Sequence, residues 1–253
     1  MKKLVLILFI TAFSFTYNDS AKNPSSNLML ASVISCNGIV LYHEQDEFYW
    51  QDVKLETKFF DNDEIKTTTE SYCELKLSNG NIIKLEPNTL LTLNSKKDGK
   101  KNLGTYLSII IGKIWVKAEK KNEPFFIKTP FASICVKGTL YSIDAPSGLI
   151  SVFEGTVEVS NEKQTYTVGK GSELNVTDAG ELEKPKVICA QTIKEFEQFS
   201  NSSSLPQESL QKTLLSLKKQ TNYKELSLNG VSNTEQKGLL RSIKDFIKNI
   251  GTN

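Results

Sequence analysis

From about Ser32 to Val187 apolar side chains recur at every second position, and polar turn-forming clusters interrupt them at short intervals. Cys73-Glu74-Leu75-Lys76-Leu77 alternates, Ser78-Asn79-Gly80-Asn81 breaks the pattern, and Ile82-Ile83-Lys84-Leu85 resumes it. A period of two is that of a half-buried strand. Asn-Gly between two such runs predicts a type I′ hairpin, which needs positive φ at both central residues. Further short strands are predicted at 91–93, 107–111, 114–116, 125–128, 133–136, 140–143, 149–153, 156–159, 166–168 and 172–176. So many brief strands with little helix between them predict an all-β fold, a rolled β-sandwich or solenoid-like body.

Beyond Pro185 the period changes. Ile193, Phe196 and Phe199 share one helix face, and Asn201-Ser202-Ser203-Ser204 reads as a linker or cap. Pro206 suits a first helical turn, after which Leu210, Leu214 and Leu217 form a stripe. A third stripe, from Thr234, carries Leu239, Leu240, Ile243, Phe246, Ile247 and Ile250. These faces must be buried against the β body, a partner or a membrane surface. The predicted organisation is a leader over residues 1–21, a β domain over 31–187 and a helical tail over 188–253.

The leader is read from Met1-Lys2-Lys3, the apolar run Leu4 to Phe15, and the polar stretch after it. That is the plan of a secretory signal, and the run is short of the roughly 20 apolar residues a spanning helix needs. The expectation is an exported protein, with membrane attachment only if the leader stays uncleaved. Val33-Ile34-Ser35-Cys36 loosely imitates a lipoprotein acylation site but lies well past the apolar run.

Charge and composition narrow the function classes. Thirty-one basic and 29 acidic side chains leave +2, and Arg241 is the sole arginine. Such a balance gives no field for nucleic acid. His43 is the only histidine, so multi-histidine metal sites and HExxH zinc proteases are excluded. Any Ser/His/Asp arrangement would have to use His43, which reads as a solvated loop residue between strands. Asp61-Asn62-Asp63-Glu64 lacks the glycine and distant glutamate of a calcium loop and reads as a tight turn. Gly169-Lys170-Gly171-Ser172 lacks the spacing of a phosphate loop and also reads as a turn. The lysines around Asp98-Gly99 read as a solvated hairpin tip that resists edge pairing. No catalytic residue, cofactor or metal ligand is expected. Cys36, Cys73, Cys135 and Cys189 are far apart with no CxxC, so they are either small core residues or members of disulfides with three possible connectivities.

One ordered set of motifs is more specific. Gly38-Ile39-Val40, then Trp50 with Val53 and Leu55, Asn62-Asp63-Glu64-Ile65-Lys66-Thr67, and Leu75 to Gly80 are followed by Gly112-Lys113-Ile114. Thr129-Pro130-Phe131-Ala132, Val136-Lys137-Gly138-Thr139 and Phe153-Glu154-Gly155-Thr156-Val157 complete the series. Over residues 31 to 178 this resembles the FecR domain, with Lys137 where arginine is usual and Asn62 in place of a turn glycine. The resemblance implies a non-enzymatic periplasmic domain, which in FecR-type regulators relays a receptor's state to a cytoplasmic sigma-factor partner. Those regulators carry an anti-sigma region and a spanning helix ahead of the domain. Here the β pattern begins shortly after the leader, so the expectation is a FecR-like protein lacking both.

The signature positions Trp50, Asp63, Thr67, Asn79, Gly80, Thr129, Pro130, Gly138, Thr139 and Gly155 are expected to shape the backbone rather than contact a ligand. The expected partner is another envelope protein, engaged through the C-terminal helices or an exposed strand edge. The competing reading is carbohydrate recognition or polysaccharide processing, with Trp50, Trp115 and tyrosines as stacking faces.

Overall fold

The structure, a computed structural model, describes residues 28–45, 47–98, 101–120, 125–136 and 138–228. The chain opens with β1 (Ala31–Asn37), β2 (Val40–His43), β3 (Gln51–Asp52), β4 (Lys58–Phe59) and β5 (Glu64–Thr67). The hairpin of β6 (Tyr72–Leu77) and β7 (Ile82–Leu85) follows, then β8 (Leu90–Asp98), β9 (Lys101–Ile111) and β10 (Lys113–Lys117). Three more hairpins come next: β11 (Phe125–Lys128) with β12 (Ser133–Val136), β13 (Leu140–Asp144) with β14 (Leu149–Glu154), and β15 (Thr156–Ser160) with β16 (Thr165–Gly169). Last are β17 (Ser172–Asn175), β18 (Lys186–Val187), α1 (Ala190–Ser202) and α2 (Gln207–Leu228).

The strands form two nine-stranded sheets in a sandwich, as the alternation predicts. The first sheet runs β18-β17-β14-β13-β10-β7-β6-β1-β4 and the second β16-β15-β12-β11-β9-β8-β5-β2-β3. The chain feeds hairpins and single strands to the two sheets in turn. Neighbours are antiparallel except β9 and β11, between which the chain makes the single strand β10 in the opposite sheet.

Every crossing between sheets whose residues are all described holds one residue at positive φ. Gly38, Gly112, Gly155 and Gly171 occupy four of them, and Glu56, Asn62, Glu70 and Asn88 the other four, while Gly138 also has positive φ between β12 and β13. Asn62 therefore does in αL what a glycine would do at less cost. The β6–β7 hairpin departs from expectation. Only Gly80 has positive φ, at 88°, while the Gly80 amide donates to the Leu77 carbonyl at 2.9 Å. The turn is thus not type I′, which would place Asn79 in the same region.

The main core lies between the sheets, where Leu75, Ile83, Leu91, Leu107, Ile127 and Ile134 are all fully buried. A second cluster lies on the outer face of the first sheet. There Trp115, Leu140 and Phe153 meet Ile193, Phe196 and Phe199 of α1 and Leu210, Leu214 and Leu217 of α2. This explains why β10, β13 and β14 read as nearly continuous apolar runs: they are covered on both faces. α1 runs two residues into the stretch expected to be a linker, and the chain turns at Ser203-Ser204. The expected leader and third helix, the lysine tip's side chains and Lys137 lie outside the described residues.

The helices supply half of a core, so trimming that core should be costly. Phe196→Ala is expected to lower stability by about 3–5 kcal/mol in urea denaturation, the usual cost for a fully buried phenylalanine. A loss under about 1 kcal/mol would mean that the helical layer is peripheral to the fold.

Candidate functional site

Two regions gather the residues on which function can rest: the corners between sheets and the helix-covered face. At the corners, the backbone chemistry is explicit. Asp63 is buried and its carboxylate accepts from the Phe60 amide at 2.7 Å, closing the turn that carries Asn62. Thr67 is buried at the end of β5, donating to the Glu86 carbonyl at 2.6 Å and accepting from the Thr89 amide at 3.0 Å. Asn79 accepts from the Asn81 amide at 3.1 Å in the turn that Gly80 completes. Thr129 closes the β11–β12 turn around Pro130, accepting from the Ala132 amide at 3.0 Å.

The structure brings Gly138, Thr139 and Gly155 together at two adjoining crossings. A side chain at Gly155 would meet the Gly138 carbonyl oxygen at 2.8 Å and the Thr139 methyl at 2.9 Å. One at Gly138 (φ +67°) would lie 2.3 Å from Lys120. Thr139 is buried and donates to the Thr156 carbonyl at 3.3 Å, tying the two corners. Trp50 stands apart from this group, beside β3, with the His43 ring 5.5 Å away and Lys66 Nζ 4.5 Å from its centroid.

The covered face is organised by register. Glu74 pairs with Lys84, Lys84 with Trp115, Trp115 with Ser142, Ser142 with Ser151, and Ser151 with Glu173. These residues form one row across six strands, and each is nearly inaccessible to solvent. The helices satisfy its charged members. Glu74 accepts from the Ser204 amide at 3.1 Å, and Lys84 donates to Ser202 Oγ at 2.6 Å. Burial pulls the Lys84 ammonium pKa down, against the opposing pull of Glu86 and Glu74. Glu173 accepts from Thr192 Oγ1 at 2.9 Å and from the Cys189 amide at 3.4 Å. It supplies an anion at the N-terminus of α1, where Cys189 makes no side-chain cap. Trp115 stacks on Phe199 with centroids 4.4 Å apart, and Phe153 on Phe196 at 4.5 Å. Trp115 Nε1 and Ser151 Oγ find no hydrogen-bond partner among the described residues.

Two ion pairs border this face. Lys113 binds Glu195 of α1, and Lys117 binds Glu154, which also accepts from Thr213 of α2. Burial raises the carboxyl pKa at both glutamates. Hydrogen bonds from Lys117 and Thr213 at Glu154, and from Lys113 and Gln191 at Glu195, outweigh it, so both lie below the usual range. None of these pairings was anticipated, because alternation marks which residues leave the core and not what covers them. The clue in the sequence was Trp115, whose strand is apolar on both sides.

Among the described residues no group of acids, cysteines and histidine is arranged to hold a metal. A groove of about 590 Å³ opens beside the Thr129–Pro130 turn, and one of about 320 Å³ lies at the α1 seam by Lys113 and Trp115. The groove's threonine and asparagine are already engaged: Thr129 by Ala132, Asn161 by Gly180, Lys163 and Gln164. Trp115 is buried and does not offer a stacking face for sugars.

The fold and these corners define a two-sheet, all-β module with a helical cover. Against known families, the model described as FecR protein matches residues 63–158. Among curated proteins none matches. Two solved structures of a "putative anti-sigma factor" from Parabacteroides distasonis, at 2.50 and 1.65 Å resolution, align at 20% identity with a TM-score of 0.44. The alignments cover 53% of this chain and 64% of theirs, so the chain spans less than two thirds of their length.

Gly138→Val should cost about 2–4 kcal/mol through strained φ and the collision with Lys120. A melting temperature equal to the parent's would show that the corner accepts a side chain.

The helical cover should loosen in acid. Carboxyl groups held below their unfolded pKa add stability that is fully present above about pH 4.3 and is lost as pH falls through their folded values. Fluorescence of Trp115 in a Trp50→Phe background should report its exposure on acidification. Replacing Lys113 and Lys117 with methionine should weaken that acid dependence, because burial would then hold both carboxyl pKa values up, and an unchanged dependence would remove the ion pairs from the account.

Proposed function

We propose that this protein is an exported, non-enzymatic signalling or scaffold module that binds another envelope protein through an exposed strand edge. The FecR domain supports a regulatory role, and the basic, apolar, then polar amino terminus supports export. The observation that carries the contact surface is the state of the sheet edges. Three of the four outermost strands, β3, β4 and β18, are two residues long. The fourth, β16, has five residues, Thr165-Tyr166-Thr167-Val168-Gly169, with no charge and no proline. Short edges resist pairing, and an uncharged, longer one is a template for an added strand.

The described helices are less suited to recruit a partner, because their apolar stripes are buried on the first sheet. Removing residues 190–253 would bare Trp115, Leu140 and Phe153, and so would confound any binding test.

The carbohydrate reading keeps one supporting observation. Phe48 is 100% exposed and Tyr49 60%, beside Trp50 at 36%. Lys66 over the Trp50 ring already occupies part of that stacking surface, so the strand edge is favoured.

The test is crosslinking capture from intact envelopes with the full chain and with a Thr165→Lys/Thr167→Lys variant. Both threonines are exposed, so the melting temperature should be unchanged while capture falls sharply, as expected when lysines on an edge oppose strand addition. Undiminished capture would remove β16 as the contact. Loss of capture on Phe48→Ser/Tyr49→Ser instead would move the site to the aromatic loop.

A further inference from the structure

Cys36 and Cys73 stand directly opposite each other on β1 and β6. Opposed residues of an antiparallel pair send their side chains to the same side, with Cα atoms about 4.5–5.5 Å apart. A disulfide spans about 4.4–6.8 Å between Cα atoms, so the register suits one without backbone movement. Both residues face the main core: Cys73 is a buried member, and Cys36 packs on it while remaining partly accessible. The two groups also sense one another. Burial pushes the Cys73 thiol pKa up, and the neighbouring Cys36 and then Glu74 add to it. The remaining cysteines are placed elsewhere, Cys135 on β12 in the other sheet and Cys189 just ahead of α1.

We propose that Cys36 and Cys73 are a thiol pair that closes to a cross-strand disulfide by exchange with a small disulfide of the glutathione class. The Cys36 thiolate, on the accessible side, attacks one sulfur of the donor. The donor S–S bond breaks, one donor thiolate leaves, and a mixed disulfide remains on Cys36. Cys73 then attacks the Cys36 sulfur and expels the second donor thiolate, which takes up the Cys73 proton. The protein loses two hydrogens and the donor becomes two thiols.

The position gives the bond a consequence. The β1–β6 ladder shifts register between Val33 and Ser35, and on its other side β1 has only the two-residue β4. The bond would tie the far side of that irregularity, two residues before the Gly38 crossing. It would also close the chain segment holding β2 to β5, so the reduced and unfolded state loses more freedom than the folded one.

The experiment uses the full chain, purified reduced and then equilibrated under native conditions in oxidised glutathione. Non-reducing digestion and mass spectrometry should find a Cys36–Cys73 linked peptide lighter by two hydrogens than the sum of its parts. The melting temperature should rise by about 5–10 °C over the reduced form. Cys36→Ser, at the partly accessible position, should abolish both readouts, and Cys73→Val should abolish the linkage while keeping an apolar side chain in the core. Cys189→Ser should change neither. A glutathione adduct on Cys36 that never resolves, a linkage through Cys135 or Cys189, or a temperature shift that survives in Cys36→Ser would each overturn the proposal.

Discussion

The whole architecture depends on how often this chain must cross from one sheet to the other. A conventional hairpin sandwich stays in a sheet for several strands, whereas here the chain changes sheet after every hairpin or single strand. Each passage brings backbone close to backbone, and a residue in the left-handed region reverses the direction within very few residues. Gly138 and Gly155 show why glycine is needed where two passages touch, since a Cβ on the second would lie 2.8 Å from the carbonyl of the first. Where space permits, Asn62 and Asn88 serve, and Glu56 and Glu70 adopt the same φ at some steric cost. The buried hydroxyls of Thr67 and Thr139 then donate to the Glu86 and Thr156 carbonyls at these corners.

That constraint explains what could be read from the linear chain and what could not. Period-two alternation in Cys73 to Leu77 and Ile82 to Leu85 reports a local property, the pleat of a strand with one face in a core, and so the strands are found close to their predicted places. The motif glycines were legible as unusual backbone for the same local reason. The type of the Asn79-Gly80 turn was not, because two backbone solutions suit that dipeptide and strand twist chooses between them. Least legible was the row from Glu74 to Glu173. Its charged and serine members occupy outward positions where sequence predicts solvent, and only the docking of distant helices turns those positions into an interior.

The same row clarifies what the helices contribute. Stacked Trp115, Phe199, Phe153 and Phe196 supply apolar contact that many relative orientations could provide. Glu74, Lys84 and Glu173 are satisfied in only one, with Ser204 over Glu74, Ser202 over Lys84 and Thr192 over Glu173. Buried charges add little net stability once desolvation is counted, and removing one partner is costly. Their effect is to penalise every misaligned docking, which fixes the helices in register with the strands beneath.

A helical layer held in this way belongs to the folded body rather than trailing from it, which bears directly on how the module can make contacts. Its apolar stripes and the outer face of the first sheet satisfy each other, so neither is available without breaking a core. Three sheet edges are too short to template another strand, and the sandwich interior is filled. Among the described residues, β16 keeps an outer edge, its backbone making ladder bonds only to β15. The proposed contact at this uncharged edge would select a partner by backbone complementarity, and it would require no rearrangement of the helical cover.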